Sequence, residues 1–333
     1  MSMKIDFVLI WVDGNDPEWK ASFQQYISLC NKGDDHSVIR YRDWDNLKYW
    51  FRGVEKFAPW VNKIHFVTCS HLPNWLNVNA KKINIVKHSD YIKSEYLPTF
   101  SAFPIELNLH RIKDLSEYFV FFNDDFFIID KVEPERFFKN GLPCDSAALN
   151  AISPLLKGIT HNVVNDIMII NSHFKKYDVL KNNITKWFNY KYGIQSLRTL
   201  ALFPWPYFTG FYDHHFPSTF LKSTFEEVWR LNENKLRETT ASRFRSMSDV
   251  NQWLFRYWQL VKGNFYPINV NSDSIFFEIK NENIDMIIKT IERKRKKIIV
   301  LNDVTENIDF SVNKELIKQA FETILSEKSS FEI

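Results

Sequence analysis

Glycine is scarce, with 8 residues in 333, and that excludes collagen-like repeats and Gly-rich linkers. Charge of one sign is missing as well. Lys plus Arg number 43 and Asp plus Glu number 40, a formal balance of +3, too even for a chain whose main task is to neutralise a phosphate backbone. The basic run Arg293-Lys294-Arg295-Lys296-Lys297 reads as a solvated helix end whose cations complement the helix dipole. The three cysteines, Cys30, Cys69 and Cys144, form no CxxC pair, so free thiols are expected and a disulfide framework is not. No apolar run approaches the ~20 residues of a membrane span. The first such stretch, Ile5 to Asp13, carries Asp6 inside it and lacks the flanks of a signal peptide, so a cytoplasmic protein is expected.

Aromatic residues are plentiful: 30 Phe, 13 Tyr and 11 Trp. Such side chains fill cores, and around polar groups they also make platforms for sugars and bases. Short runs rich in Val, Ile and Phe at Ile5–Val12, Ile64–Thr68, Ile83–Val86, Phe119–Phe122 and Ile298–Leu301 fit central strands of a mostly parallel sheet. Helical patterns lie between them. One is capped by Asp45 and runs to Phe57, and another begins with Pro104 in its first turn and points Ile105, Leu109 and Ile112 inward. Others cover Val250–Val261, Ile284–Ile291 and Asn313–Leu325. The expected fold is α/β, a mostly parallel Rossmann-like sheet of nucleotide-sugar transferase type with a largely helical insertion over the active site. The expected units are a nucleotide-binding core at 1–132, a mainly helical acceptor region at 133–263 and a return to the core at 264–333, joined as one catalytic domain.

Ligands of open α/β sheets bind beyond the carboxyl ends of the strands. Three strands end in polar groups, at Trp11-Val12-Asp13-Gly14-Asn15-Asp16-Pro17, at Asn123-Asp124-Asp125 and at Asn302-Asp303, and together they predict one converging rim. Two adjacent carboxylates among phenylalanines need charge compensation. Mg²⁺ or Mn²⁺ bridging a diphosphate would supply it, and a solvated turn is the plainer alternative. The Asp13–Pro17 segment equally suits a tight turn or a close backbone approach to phosphate or ribose. Arg40 and Arg42 stand one pleat apart and can grip phosphate, or pair with Asp43 or Asp45. Asp213-His214-His215 follows an aromatic stretch. A histidine there can serve as a general base, and adjacent histidines on extended chain face opposite ways. Arg243 and Arg245 precede a helix start and suit an anion.

In this order the segments resemble the four conserved blocks of the Stealth family of polysaccharide phosphotransferases. The first spans Ile5–Trp19. The second begins at Arg40-Tyr41-Arg42-Asp43, continues through Ala58–Val61, Leu97–Phe100 and His110–Ile112, and closes at Asp125. The third joins His215-Phe216-Pro217 to Thr240–Arg245, and the fourth runs from Lys297 to Glu332. The resemblance implies transfer of a sugar 1-phosphate, usually from a UDP-linked N-acetylhexosamine, to a glycan hydroxyl in capsular or exopolysaccharide synthesis, with release of UMP. It implies Asp125, His215, Arg245 and Asp124 as catalytic residues. It places Trp11, Asp13, Gly14, Asn15, Asp16, Arg40, Arg42, Asn123 and Arg243 at the nucleotide-sugar. The metal, Mg²⁺ or Mn²⁺, would fall to Asp124, Asp125 and Asp303. The chain departs from the family pattern at Trp44-Asp45-Asn46 and Cys69-Ser70, which bears on donor selectivity more than on chemistry. Expected partners are the UDP-sugar and the glycan acceptor, with no nucleic acid and no membrane span. Peripheral attachment to a polysaccharide assembly complex at the inner face of the membrane stays open, as does an oligomer. The rival activities are a metal-dependent glycosyltransferase releasing UDP and a non-catalytic carbohydrate-binding module.

Overall fold

An aspartate in the middle of an apolar strand demands partners, and in the computed structural model it finds three. Asp6 is fully buried and accepts from Asn62 (2.7 Å) and the Ser116 amide (2.8 Å), with His65 Nε2 at 3.2 Å. Burial alone would raise its pKa, but these hydrogen bonds outweigh it and hold the carboxyl below its ordinary range. They tie the first strand to its neighbours on both sides. The structure describes residues 3–27, 42–153, 155, 158–303 and 308–333. Its strands are β1 (Ile5–Ile10), β2 (Ile64–Thr68), β3 (Ile83–Lys87), β4 (Tyr118–Phe122), β5 (Phe126–Ile128) and β6 (Phe138–Lys139). They continue with β7 (Leu142–Asp145), β8 (Ser218–Leu221), β9 (Tyr266–Pro267), β10 (Ser274–Glu278) and β11 (Ile298–Asn302).

The main sheet has the order β3-β2-β1-β4-β8 and is parallel except for β8, which runs against β4. Both of its faces are covered, so its strands read as unbroken apolar runs rather than alternating ones. On one face Phe7, Phe66 and Phe122 pack against Tyr49, Trp50, Phe51 and Val54 of the helix Leu47–Phe57. On the other, Val8, Val67, Phe119 and Phe121 meet the helices Thr160–His173, Lys222–Ala241 and Trp253–Lys262. The expected α/β class with a mostly parallel sheet is what the chain forms, and helices of the middle region cover one face of it.

Several local expectations are corrected. The last apolar run joins a separate three-stranded sheet, β10-β11-β5, parallel to β10 and antiparallel to β5. Asp45 does not cap the helix that follows. It sits at φ 52° and its carboxylate accepts from Lys318 (3.1 Å), while Asn46 holds the cap position without a side-chain bond. The helix around Pro104 covers only Ala102–Leu107 and is capped by the Ser101 hydroxyl, which accepts from the Phe103 amide (3.3 Å). Leu109 lies in a following 3₁₀ turn and Ile112 beyond it. Among the described residues no helix is long and apolar enough to cross a membrane. Arg40 and Cys30 lie outside the described residues.

Candidate active site

Parallel pairing of β2, β1 and β4 brings their carboxyl ends side by side, and the polar loops gather there. After β1 the chain makes a tight turn, as its residue types favour. Asp13 Oδ1 accepts from the Asn15 amide (2.7 Å) and its carbonyl from the Asp16 amide (3.2 Å), with Gly14 between them. Asp16 Oδ1 accepts from the Trp19 amide (2.7 Å) and so caps the helix Pro17–Ile27, while Asn15 Oδ1 accepts from Lys20 (3.2 Å).

The loop after β2 locks onto this turn. His71 Nε2 accepts from the Asp13 amide at 2.6 Å, and the Thr68 hydroxyl donates to the His71 carbonyl (2.7 Å). Burial holds the imidazole below its ordinary pKa against the pull of Asp16 and Asp13, so Nε2 keeps the lone pair this contact needs. Trp11 stacks on Phe66 (centroids 5.7 Å apart, planes at 26°) with His71 against its edge. Trp11, Asp13, Asp16, Asp43, His71 and Trp75 line a cleft of about 360 Å³. Acceptor oxygens beside indole faces suit a base and its ribose hydroxyls better than they suit phosphate.

Beyond β4 the chain reverses through Asn123-Asp124-Asp125 into β5. The Phe126 amide donates to the Asn123 carbonyl (3.2 Å), and the Leu301 amide of β11 to the Asp125 carbonyl (2.9 Å). Asp125 Oδ2 lies 3.7 Å from His215 Nε2, both side chains being partly exposed. The His215 ring is held edge-on between Phe126 and Phe276, with centroids 5.1 and 5.5 Å away. Its neighbour His214 points inward, 2.9 Å from Asp145. Arg256 grips Asp145 through Nε (2.7 Å) and Nη2 (3.0 Å) and also reaches Asp213 (2.9 Å), which accepts from the Tyr257 hydroxyl (2.7 Å). This buried network anchors the His214 backbone and leaves His215 facing out.

Asp124 is crowded by protein and by the charges of Asp125 and Asp43, which push its carboxyl up to about 7. The residue is exposed to solvent, which screens this shift. Asp43, part of the cleft lining, also acts on Asp124 of the acidic loop. Glu106 is buried, and desolvation pushes its carboxyl up to about 7. Three residues earlier on the same short helix, Phe103 carries the Arg245 guanidinium at 4.7 Å. Arg243 is used within the protein, donating to the Pro98 carbonyl (2.7 Å) and lying over Tyr26. Asp303 Oδ2 accepts from Trp44 Nε1 (2.9 Å) and lies 3.5 Å from Arg42 Nε, and Arg42 stacks over Phe310.

The structure therefore brings Asp125 against His215, with Asp124 next to Asp125 in the chain, and lays the Arg245 guanidinium over Phe103. Among the described residues no group of three His, Cys, Asp or Glu side chains has the geometry of a metal site. The acidic pair is chemically suited to a hard cation, whose remaining ligands would come from phosphate and water. Sequence reasoning passed over His71, Trp75 and Glu106. The first of these stands just past the end of β2, where the same strand-end rule applied to a second loop would have found it.

Comparison with known proteins bears on the same segments. The chain matches two models built on Stealth proteins, conserved region 1 over residues 3–28 and conserved region 2 over residues 40–145. It is 45% identical to a capsular polysaccharide phosphotransferase, WcwK, of Streptococcus pneumoniae, over 99% of this chain and 98% of that one. It is 44% identical to a receptor polysaccharide phosphotransferase, WefC, of Streptococcus gordonii over the full length of both. An exopolysaccharide phosphotransferase, cps2G, of Lactiplantibacillus plantarum is 40% identical over 98% of this chain and 96% of that one. Among solved structures, the galactosyltransferase LgtC in complex with donor and acceptor sugar analogues is similar at a TM-score of 0.40 and 10% identity, over 94% of this chain and 95% of that one.

Proposed function

The chain belongs to the Stealth family, and from that premise we propose that it transfers an N-acetylhexosamine 1-phosphate from a UDP-sugar to a glycan hydroxyl and releases UMP. The observation that carries this reading is the 3.7 Å approach of His215 to Asp125, two residues far apart in the chain, beyond the carboxyl end of β4.

The acceptor oxygen attacks the phosphorus that bears the sugar, the bond from that phosphorus to the UMP oxygen breaks, and the acceptor proton passes to His215 Nδ1. Asp125, facing Nε2 at 3.7 Å, stabilises the imidazolium that forms. Arg245 clamps the transferring phosphate, where negative charge must be balanced. Trp11, Trp75 and the carboxylates of the cleft hold the nucleoside, with Arg42 positioned by Asp303. Asp124 and Asp125 would hold Mg²⁺ or Mn²⁺, and such an ion would neutralise the diphosphate when bound; Asp303, expected as a third ligand, is instead spent on Trp44 and Arg42.

Incubating the protein with UDP-N-acetylglucosamine or UDP-N-acetylgalactosamine, a short glycan acceptor and Mg²⁺ or Mn²⁺ tests this. Mass analysis should find UMP, and phosphorus NMR a phosphodiester in the glycan. Release of UDP with sugar transfer would replace the reading by ordinary glycosyl transfer, and no nucleotide product from either donor would remove the proposed donor class.

A further inference from the structure

The helix Gln195–Leu202 is built inside out. Its inward residue is Thr199, fully buried, whose hydroxyl accepts from the Leu149 amide at 3.1 Å. Its outward side carries Leu197 and Leu200, 60% and 56% exposed, preceded by Ile194 at 76%. A surface helix of a globular protein normally does the reverse. The apolar display continues past the helix through exposed Phe203, Trp205 and Tyr207, and is flanked by exposed Tyr190 and Ile184.

This is a clamped element and not a loose loop. The buried Lys176 ammonium donates to the carbonyls of Leu202 (2.7 Å), Phe203 (3.0 Å) and Trp205, and the Tyr177 hydroxyl to that of Pro204 (3.1 Å). A fixed, contiguous apolar surface of this kind marks an interaction site. Charge identifies the partner. Between Ile167 and Tyr212 the exposed cations are Lys175, Lys181 and Arg198 against one acid, Asp178, while Lys176, Lys186 and Lys191 donate to carbonyls of the protein. Leucines among tryptophan and tyrosine, in a net basic surround, match the boundary of an anionic bilayer. A second copy of this chain would bring like charge against like.

We propose that the segment 184–207 docks the protein on an anionic lipid surface, its outward leucines and aromatics entering the headgroup boundary. Tyr207 and His215 are only eight positions apart, at most about 28 Å of chain, so docking holds the catalytic imidazole near acceptors at that surface.

Flotation of the full-length protein with vesicles of phosphatidylcholine containing 30% phosphatidylglycerol, against pure phosphatidylcholine, tests the proposal without using the transfer reaction. Its failure would therefore leave the proposed chemistry standing. The wild type should float with the anionic vesicles and bind the neutral ones at least about tenfold more weakly. L197E/L200E should lose binding by a similar factor with unchanged melting temperature, and K175E/K181E should weaken only the anionic component. Equal flotation of wild type and L197E/L200E, or no flotation of the wild type, would overturn it. So would a concentration-dependent dimer, abolished by L197E/L200E, in protein that ignores vesicles.

Discussion

Two adjacent histidines do different work because their neighbours differ. His214 spends its ring on Asp145, inside a network closed by Arg256, Asp213 and Tyr257. His215 stands between two aromatic edges with Asp125 as its polar partner. His215→Ala and Asp125→Asn should each lower kcat at least ~100-fold in a steady-state assay and leave the melting temperature in place. Asp145→Asn should behave in the opposite sense. It leaves the buried Arg256 partly uncompensated and should cost roughly 3–5 kcal/mol in chemical unfolding. The outward turn of one histidine and the inward turn of the other follow from the alternation of extended chain. Asp145, 69 positions away from His214, could not be read from the sequence, because only the packing of β7 beside the main sheet brings it there.

At the scale of elements, apolar runs were legible and their companions less so. The run from Ile5 fixes β1 even though Asp6 interrupts it, since the interruption is satisfied by partners a sequence does not reveal. The run at Ile298 marks a strand but not its sheet, because pairing of β11 with β10 and β5 is set by chain geometry. The helix Lys222–Ala241 escaped the periodicity. Its apolar stripe of Phe225, Val228 and Trp229 meets Asn232 one turn later, where the backbone leaves helical geometry (φ −133°, ψ 32°), and then resumes at Leu236. Gly53 illustrates a constraint that no pattern shows. In the helix Leu47–Phe57 a methyl group there would stand 2.4 Å from the Ile128 carbonyl of β5. Gly53→Ala should therefore push the helix off the strand and cost about 1–3 kcal/mol, measured by urea unfolding.

The whole molecule couples the site to stability through Glu106. Burial pushes its carboxyl up to about 7, against the pull of the Gln252 amide and His215. With the folded pKa above the unfolded one, the fold favours the protonated form. Its contribution is therefore intact below about pH 4.5 and is lost as pH rises to about 7, by about 3 kcal/mol. Glu106→Gln removes that titration, so the stability of the variant relative to wild type should grow by this amount across the interval. The C-terminal segment is closed over the core by Arg52, which pairs with Glu332 (2.7 Å) and donates to the Leu325 carbonyl (2.8 Å), so the last residues of the chain steady the helix behind the cleft. In the proposed complex, loops from β1, β2 and β4, with the segment at His215, surround one diphosphate. A crystal structure with a non-hydrolysable UDP-N-acetylhexosamine analogue tests this most directly. Uracil should lie between Trp11 and Trp75, with the sugar-bearing phosphorus beside His215 and Arg245. A nucleotide bound away from Trp11, or phosphates out of reach of His215, would contradict it.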